Sequence, residues 1–294
     1  MGEITNTGIT PVNLKDAIRN LDMLPAMPII TQKILALNID SIEGELAMLK
    51  LIEQDPQIAA KIIGLANTPL FGASKRVSSI SDSAMLLGFT RVKAVTMGIA
   101  FISSLISNPA GKLDIQGLWL HSLAIAPALR TLSLAMPRNT RPLDDEIFLA
   151  GLLYDIGYMV LNHLDQIRSD ELHTRFSLNK DRPSIEIEAE LLEMNHCELG
   201  AELDLWNLPE AIIAVLRYHH DPENEHASAG QPLVRMVNIA EKVLGPFGIF
   251  EHCTVDISNE EWQALGIDPD KADKLIDQIN RQAEEVKQTA GSFL

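Results

Sequence analysis

One carboxylate, Asp155, stands inside FLAGLLYDIGYMVL, an apolar run long enough to be buried on most sides. A charge there must be paired, hydrogen-bonded or bound to a metal, because an uncompensated buried charge is too costly. Other polar residues are placed in the same way. His121 lies in LWLHSLAIA, His196 ends ELLEMNH, His219 and His220 end AIIAVLRYHH, and Glu241 lies in VNIAEKVL. Their partners must come from other segments, so the chain has to close several apolar segments around one core.

Those segments read as helices. Asp55-Pro56 before QIAAKIIGLAN is a capping residue and a proline at the first helical position, followed by apolar spacing of three and four. Ser81 is expected to precede a short helix that Gly88 stops, and Thr90 to cap RVKAVTMGIAFISSLI. Asp114 opens IQGLWLHSLAIAPALRTLSLAM, with a kink expected near Pro127. DDEIFLAGLLYDIGYMVLNHL follows as one helical pattern, then a polar stretch from Asp165 to Pro183. Ser184 starts IEIEAELLEMNH. The last segment, DKADKLIDQINRQAEEVKQ, is amphipathic, with Ala272, Leu275, Ile276, Ile279, Ala283 and Val286 on one face; it can pack on the core or on a second copy of the chain. Alternation of β-branched residues is almost absent. The expected fold is all-α, with roughly a dozen helices.

Composition narrows the function classes. Apolar residues make up 46% and charged residues 22%, which supports a sizeable core and excludes general disorder. The formal charge of −16 argues against a nucleic-acid surface, so no nucleic-acid partner is expected. Residues 1–110 carry nine basic and nine acidic side chains, so residues 111–294 hold the whole excess. Two cysteines, Cys197 and Cys253, make neither a disulfide framework nor a cysteine-based zinc knuckle. MGEITNTGITPVNL has the marks of no secretory leader, and the dense apolar stretch Val95–Ile106 is too short to span a bilayer. A cytoplasmic, reducing location without membrane contact is the expectation.

Taken singly, each polar residue has a plain structural reading. His121 can be a hydrogen-bonded core histidine, and Asp155 can pair with it. His219 and His220 can close a helix whose dipole favours imidazolium. Taken together, imidazoles and carboxylates from separate helices suit one divalent transition metal, such as iron, manganese, nickel or zinc. The candidate ligands are His121, Asp155, His196, His219, His220 and Glu241.

Their order resembles the HD superfamily of metal-dependent phosphohydrolases. His121 matches the first histidine, Asp155, Ile156 and Gly157 the Asp-Ile-Gly of the doublet motif, His196 the middle histidine, and His219 with His220 the paired ones. Glu241 stands where that family shows an aspartate. Two positions depart from it: Tyr154 replaces the doublet histidine, and Tyr158 replaces a lysine. The cyclic-di-GMP phosphodiesterase motif Gly-Tyr-Pro is missing after His220.

Four earlier blocks narrow the resemblance: LPAMP at 24–28, QDP at 54–56, LANTPLFG at 65–72 and SISDSAMLLG at 79–88. In this order they resemble the HDOD domain, the HD-related output domain of bacterial signalling proteins. The resemblance implies an HD-like helical bundle with an N-terminal helical subdomain. Residues 1–19 lead in, 20–245 form the HDOD domain (20–110 its N-terminal part, 111–245 its HD-like core), and 246–294 add a helical extension. It also implies a bacterial signal-transduction output module with a degenerate site, no assigned catalytic residue, and signalling proteins as partners; a homodimer is compatible with it. The alternative is a metal-dependent phosphohydrolase acting on phosphodiesters or nucleotides.

Physically, the blocks read as architecture. Leu24-Pro25 and Met27-Pro28 make an extended elbow, Asn67 is expected to end its helix in a left-handed conformation, and Gly72 to allow a tight turn. Lys75, Arg76, Arg91 and Lys93 form one basic cluster, opposed nearby only by Asp82. It reads as a solvated face or as a receptor for a small anionic group.

Overall fold

Asp55 shows how this chain starts its helices. Its side chain accepts from the backbone N–H groups of Gln57 and Ile58, and Pro56 occupies the first helical position, where a missing N–H costs nothing. Asp114 does the same with the N–H of Gly117 at 2.8 Å. The computed structural model describes residue 14 and residues 25–67, 76–106, 111–203, 208–245 and 256–290. Leu24, most of LANTPLFG, Lys75 and Cys253 lie outside them.

Among the described residues the chain is all-α, in this order: α1 (Ile29–Leu35), α2 (Ile42–Glu53), α3 (Pro56–Ala66), α4 (Ile80–Leu87), α5 (Phe89–Leu105), α6 (Ile115–Ala135), α7 (Asp144–Leu153), α8 (Ile156–Leu164), α9 (Gln166–Leu178), α10 (Ser184–Leu192), α11 (His196–Ala201), α12 (Glu210–Tyr218), α13 (Leu233–Leu244), α14 (Asn259–Ala264) and α15 (Ala272–Ala290). The N-terminal helices α1 to α4 pack on one another and on α5, which also lies along α7. Helix α6 is central, with α7, α13 and α15 packed around it. The buried apolar side chains form one continuous core from Leu14 to Val286, so the charge asymmetry does not mark two separate cores.

Several local expectations are corrected. Ser79, not Ser81, caps α4, accepting from the N–H of Asp82, because the helix starts two residues earlier than the apolar spacing suggests. Thr90 lies inside α5. Gly88, at φ +88°, both ends α4 and precedes α5, a backbone state that glycine adopts without steric cost. Asn67 is not left-handed (φ −85°, ψ 0°); its side chain instead clips residue 77, donating to the carbonyls of Ile63 and Val77 and accepting from the N–H of Val77. Helix α6 continues through Pro127, and the polar stretch after Asp165 is itself helical, as α9. Arg91 is not held in reserve for an anion: it pairs with Asp144 at 3.0 Å, which Arg130 also grips at 2.8 Å. That acid lies 53 positions away, out of sight of a local charge count.

The apolar run around Asp155 breaks in two. Helices α7 and α8 meet at Tyr154-Asp155 with a bend of 44°. Asp155 sits at the N-cap position of α8 but makes no capping bond with its side chain. Two residues on, Gly157 lets α8 and α11 touch backbone to backbone. A Cβ there would lie 1.9 Å from the carbonyl oxygen of His196 and 3.0 Å from the nitrogen of Gly200.

The terminal helix settles onto the core rather than waiting for a second copy. Leu275, Ile279, Ala283 and Val286 are buried against α6 and α13, and Thr131 of α6 donates to Gln282 at 2.9 Å. Among the described residues α6 alone is a single helix long and apolar enough to cross a membrane, a longer candidate than Val95–Ile106; 78% of its apolar window is buried inside the protein.

Two outcomes test this packing. Gly157→Ala should cost about 3 kcal/mol, at the upper end of overpacking penalties because the obstruction is backbone, read as a lowered urea midpoint. The two arginines hold the Asp144 carboxyl below its ordinary value of 3.8, against the upward push of its partial burial. A depressed carboxyl stabilises the fold above its unfolded pKa and loses that contribution as pH falls through the folded value. Asp144→Asn should therefore lower stability at neutral pH by no more than about 1 kcal/mol, since the carboxylate is half exposed. In urea titrations the difference from wild type should be constant down to pH 5 and vanish in stronger acid.

Candidate metal centre

The break between α7 and α8 aims Asp155 at two histidines from distant helices. His196 opens α11, where Asn195 caps the helix and Glu198 closes a reciprocal capping box. His219 follows α12 directly, and Asn238 of α13 donates to its carbonyl at 2.7 Å. Asp155, His196 and His219 are all buried.

Hydrogen bonds decide which ring nitrogens face the centre. His196 Nδ1 lies 2.9 Å from both carboxylate oxygens of Glu188, and His219 Nδ1 lies 3.0 Å from the carbonyl of Val215. Both partners only accept, so both Nδ1 atoms donate; the tautomers are assigned on that ground. The two Nε2 atoms then present lone pairs to each other at 3.2 Å, with Asp155 Oδ1 at 3.5 Å and 3.6 Å from them. With both rings neutral three acceptors converge, and either a proton on His196 or a metal ion reconciles them. A point about 2.0 Å from all three atoms exists, the length of a transition-metal bond to imidazole or carboxylate. These residues fit a metal ion.

Two overlapping groups of ligand atoms lie within 4.8 Å of one another: His196, Cys197, His219 and His220, and Asp155, His219 and Glu241. His220 Nε2 stands 3.4 Å from Glu241 Oε1. Five of the six sequence candidates are thus brought together. His121 is in neither group; it is buried near the Tyr154 ring, with centroids 6.1 Å apart.

The tyrosines take up the space around the histidines. The Tyr154 ring stands edge-on to His219 at 5.2 Å. Tyr158 stacks on His196 at 4.4 Å, and its hydroxyl donates to Glu188 at 2.8 Å. Glu188 also accepts from the backbone N–H of His196 at 2.8 Å, so it fixes both ring and main chain. Sequence reasoning missed Glu188, because in IEIEAELLE nothing distinguishes one glutamate from its neighbours. It missed Cys197 as well, although the His196-Cys197 pair was a visible signal.

Burial alone would push the His196 imidazole down, but the Cys197 sulfur and the Glu188 carboxylate outweigh it and hold the ring well above the usual histidine range. Burial also pushes the Cys197 thiol up.

Beside the centre, a cleft of about 440 Å³ is lined by His220, Glu241, Asn238 and Ile239, with Arg235–Glu223 and Lys242–Glu261 ion pairs at its sides. Of the clustered residues, His220 and Glu241 line this cleft, while Asp155, His196 and His219 are buried.

The sequence profile of the HDOD domain matches residues 24–222. An uncharacterised protein of Treponema pallidum (strain Nichols) is 24% identical over 219 residues, which are 74% of this chain and 41% of that protein. The chain therefore spans less than half the length of that relative. Among solved structures, a candidate signal transduction protein of Marinobacter aquaeolei VT8 superposes with a TM-score of 0.77 at 24% identity, over 96% of this chain and 65% of the other. A candidate phosphohydrolase of Shewanella amazonensis SB2B gives 0.68 at 19%, over 96% and 99%. At those identities a shared fold is what is shown. An HDOD domain protein of unknown function from Geobacter sulfurreducens gives 0.69 at 26% identity, over 93% and 98%. With the profile matched over well more than half its length, and the helical arrangement repeated in these structures, this chain belongs to the HDOD domain family.

Proposed function

We propose that this chain is a signal-transduction output module that works through protein interaction, its HD-type centre serving structure rather than turnover. The observation that carries this reading is the packing of Tyr154 and Tyr158. Where the HD hydrolases it resembles have a ligand imidazole and a cationic lysine, this chain has two phenol rings wedged against His219 and His196. The hydroxyl of Tyr158 holds Glu188, so it supports a ligand's orientation and offers no positive charge to a phosphoryl group. The centre is thus degenerate for hydrolysis while its binding geometry persists. Its partners are signalling proteins, as the family resemblance implies.

The ion would be held by Asp155, His196 and His219, with His220 and Glu241 alongside. One divalent iron, manganese, nickel or zinc ion suits this mixed nitrogen and oxygen set. When bound, such an ion supplies Lewis acidity and lowers the pKa of a bound water. The protein's own part is to keep both imidazoles in the ligand tautomer and to exclude solvent. A phosphohydrolase is the second reading, favoured by the retained cluster and by the cleft beside it.

Two measurements decide. Purified protein incubated with manganese, iron, nickel or magnesium should show no turnover of cyclic dinucleotides or nucleoside phosphates above a no-enzyme control. Turnover that disappears in Asp155→Ala would establish the hydrolase reading instead. Separately, zinc or manganese in large excess should raise the melting temperature at pH 7.5, with stabilisation of about 2.7 kcal/mol at a hundredfold excess over Kd. The gain should shrink at pH 5.5, because protons compete for the imidazoles. Asp155→Asn should remove most of it at unchanged shape. No shift at either pH would make the cluster a hydrogen-bond network of the core.

A further inference from the structure

Cys197 lies beside the two converging imidazoles, and the output-module reading gives it no role. Its Sγ stands 3.5 Å from His196 Nε2 and 3.7 Å from His219 Nε2. Sulfur and imidazole nitrogen bound to one tetrahedral zinc, at bond lengths of about 2.3 and 2.0 Å, stand about 3.5 Å apart. The two Nε2 atoms, at 3.2 Å, supply the third edge of the same triangle. The side chain is buried, and no second described cysteine is there to form a disulfide. Sγ also lies 3.9 Å from His219 Nδ1, beside the ring, so a turn about the Cys197 Cα–Cβ bond is the adjustment that ligation asks for.

We propose that Cys197 is a thiolate ligand of this centre, joining His196 and His219 to make a soft site that selects zinc, or cobalt as its probe, over magnesium and manganese. This rests on the reading of the cluster as a metal centre. The S–H bond breaks, the proton passes to solvent, and the sulfur lone pair forms the metal bond with no change of oxidation state. An uncharged buried thiol is the state expected before the ion arrives, since the ion itself favours thiolate. Thiolate donation suits zinc and disfavours the hard, oxygen-preferring ions. It also reduces the Lewis acidity left for a bound water, in keeping with a centre that holds the fold together. The competing account is that Cys197 is a small apolar core residue that merely touches the rings.

The test is titration of the metal-free full chain with Co2+, followed by absorption. Visible d–d bands report that cobalt is bound, and a near-ultraviolet charge-transfer band reports a thiolate bond to it. The proposal expects both in the wild type. Cys197→Ser should keep the visible bands and lose the near-ultraviolet one, and its zinc affinity should fall by at least the 10–100-fold typical of losing an outer-shell partner. Cys253→Ser should keep both bands. Visible bands without a charge-transfer band in the wild type would overturn thiolate ligation and leave the metal centre standing. A charge-transfer band lost in Cys253→Ser and kept in Cys197→Ser would overturn it too. No cobalt spectrum at all would overturn the metal centre itself, and this proposal with it. The wild-type spectrum separates thiolate ligation, a thiolate-free centre and no centre even if a variant folds poorly, and Cys253→Ser alone tells which cysteine supplies the thiolate.

Discussion

The structure is organised around a place where acceptors meet. Two imidazole nitrogens and a carboxylate oxygen, all buried, point at a common position between α8, α11 and the end of α12. Lone pairs that face one another repel in a low-dielectric interior, and a proton or a metal ion placed among them relieves that repulsion. Surrounding helices are placed to hold that geometry. Glu188 and the Val215 carbonyl fix the rings, Asn238 fixes the chain at His219, and Tyr158 fixes Glu188.

Close backbone contact is what makes the convergence possible. At Gly157 the start of α8 rests on the start of α11, an approach no side chain would allow. Asp155 and His196 are thereby held in register, 41 positions apart in the chain. The residues that look most like substitutions against a hydrolase, Tyr154 and Tyr158, are the ones that fill this contact region with rings. Phenol rings thus occupy the space beside both imidazoles, at 5.2 Å from His219 and 4.4 Å from His196.

The segment beyond the profile match has a structural task. Leu275, Ile279, Ala283 and Val286 recur every three or four residues and seal the outer side of α6. Burial of the three larger side chains stabilises the fold by about 1.5–3 kcal/mol each in transfer terms. Glu261 of α14 pairs with Lys242 of α13 at the side of the cleft, so α14 also shapes that cleft.

Much of this could be read from residue order alone. Helical periodicity, the caps at Asp55 and Asp114, and the incompatibility of Asp155 with an apolar run set the fold class and required a closed core, because these depend on interactions within a few residues or on burial itself. The set Asp155, His196, His219, His220 and Glu241 was also legible, as polar residues in apolar helices. Only the tertiary structure decided that His121 stands outside the two side-chain clusters, that Glu188 rather than any neighbouring acid orients His196, that Asp144 neutralises Arg91, and that Cys197 lies against both imidazoles. The reason is physical. Hydrogen bonds and metal bonds are fixed by distances of a few ångströms between helices, and a bend of 44° at Tyr154-Asp155 shifts such distances without leaving any mark on the hydrophobic pattern.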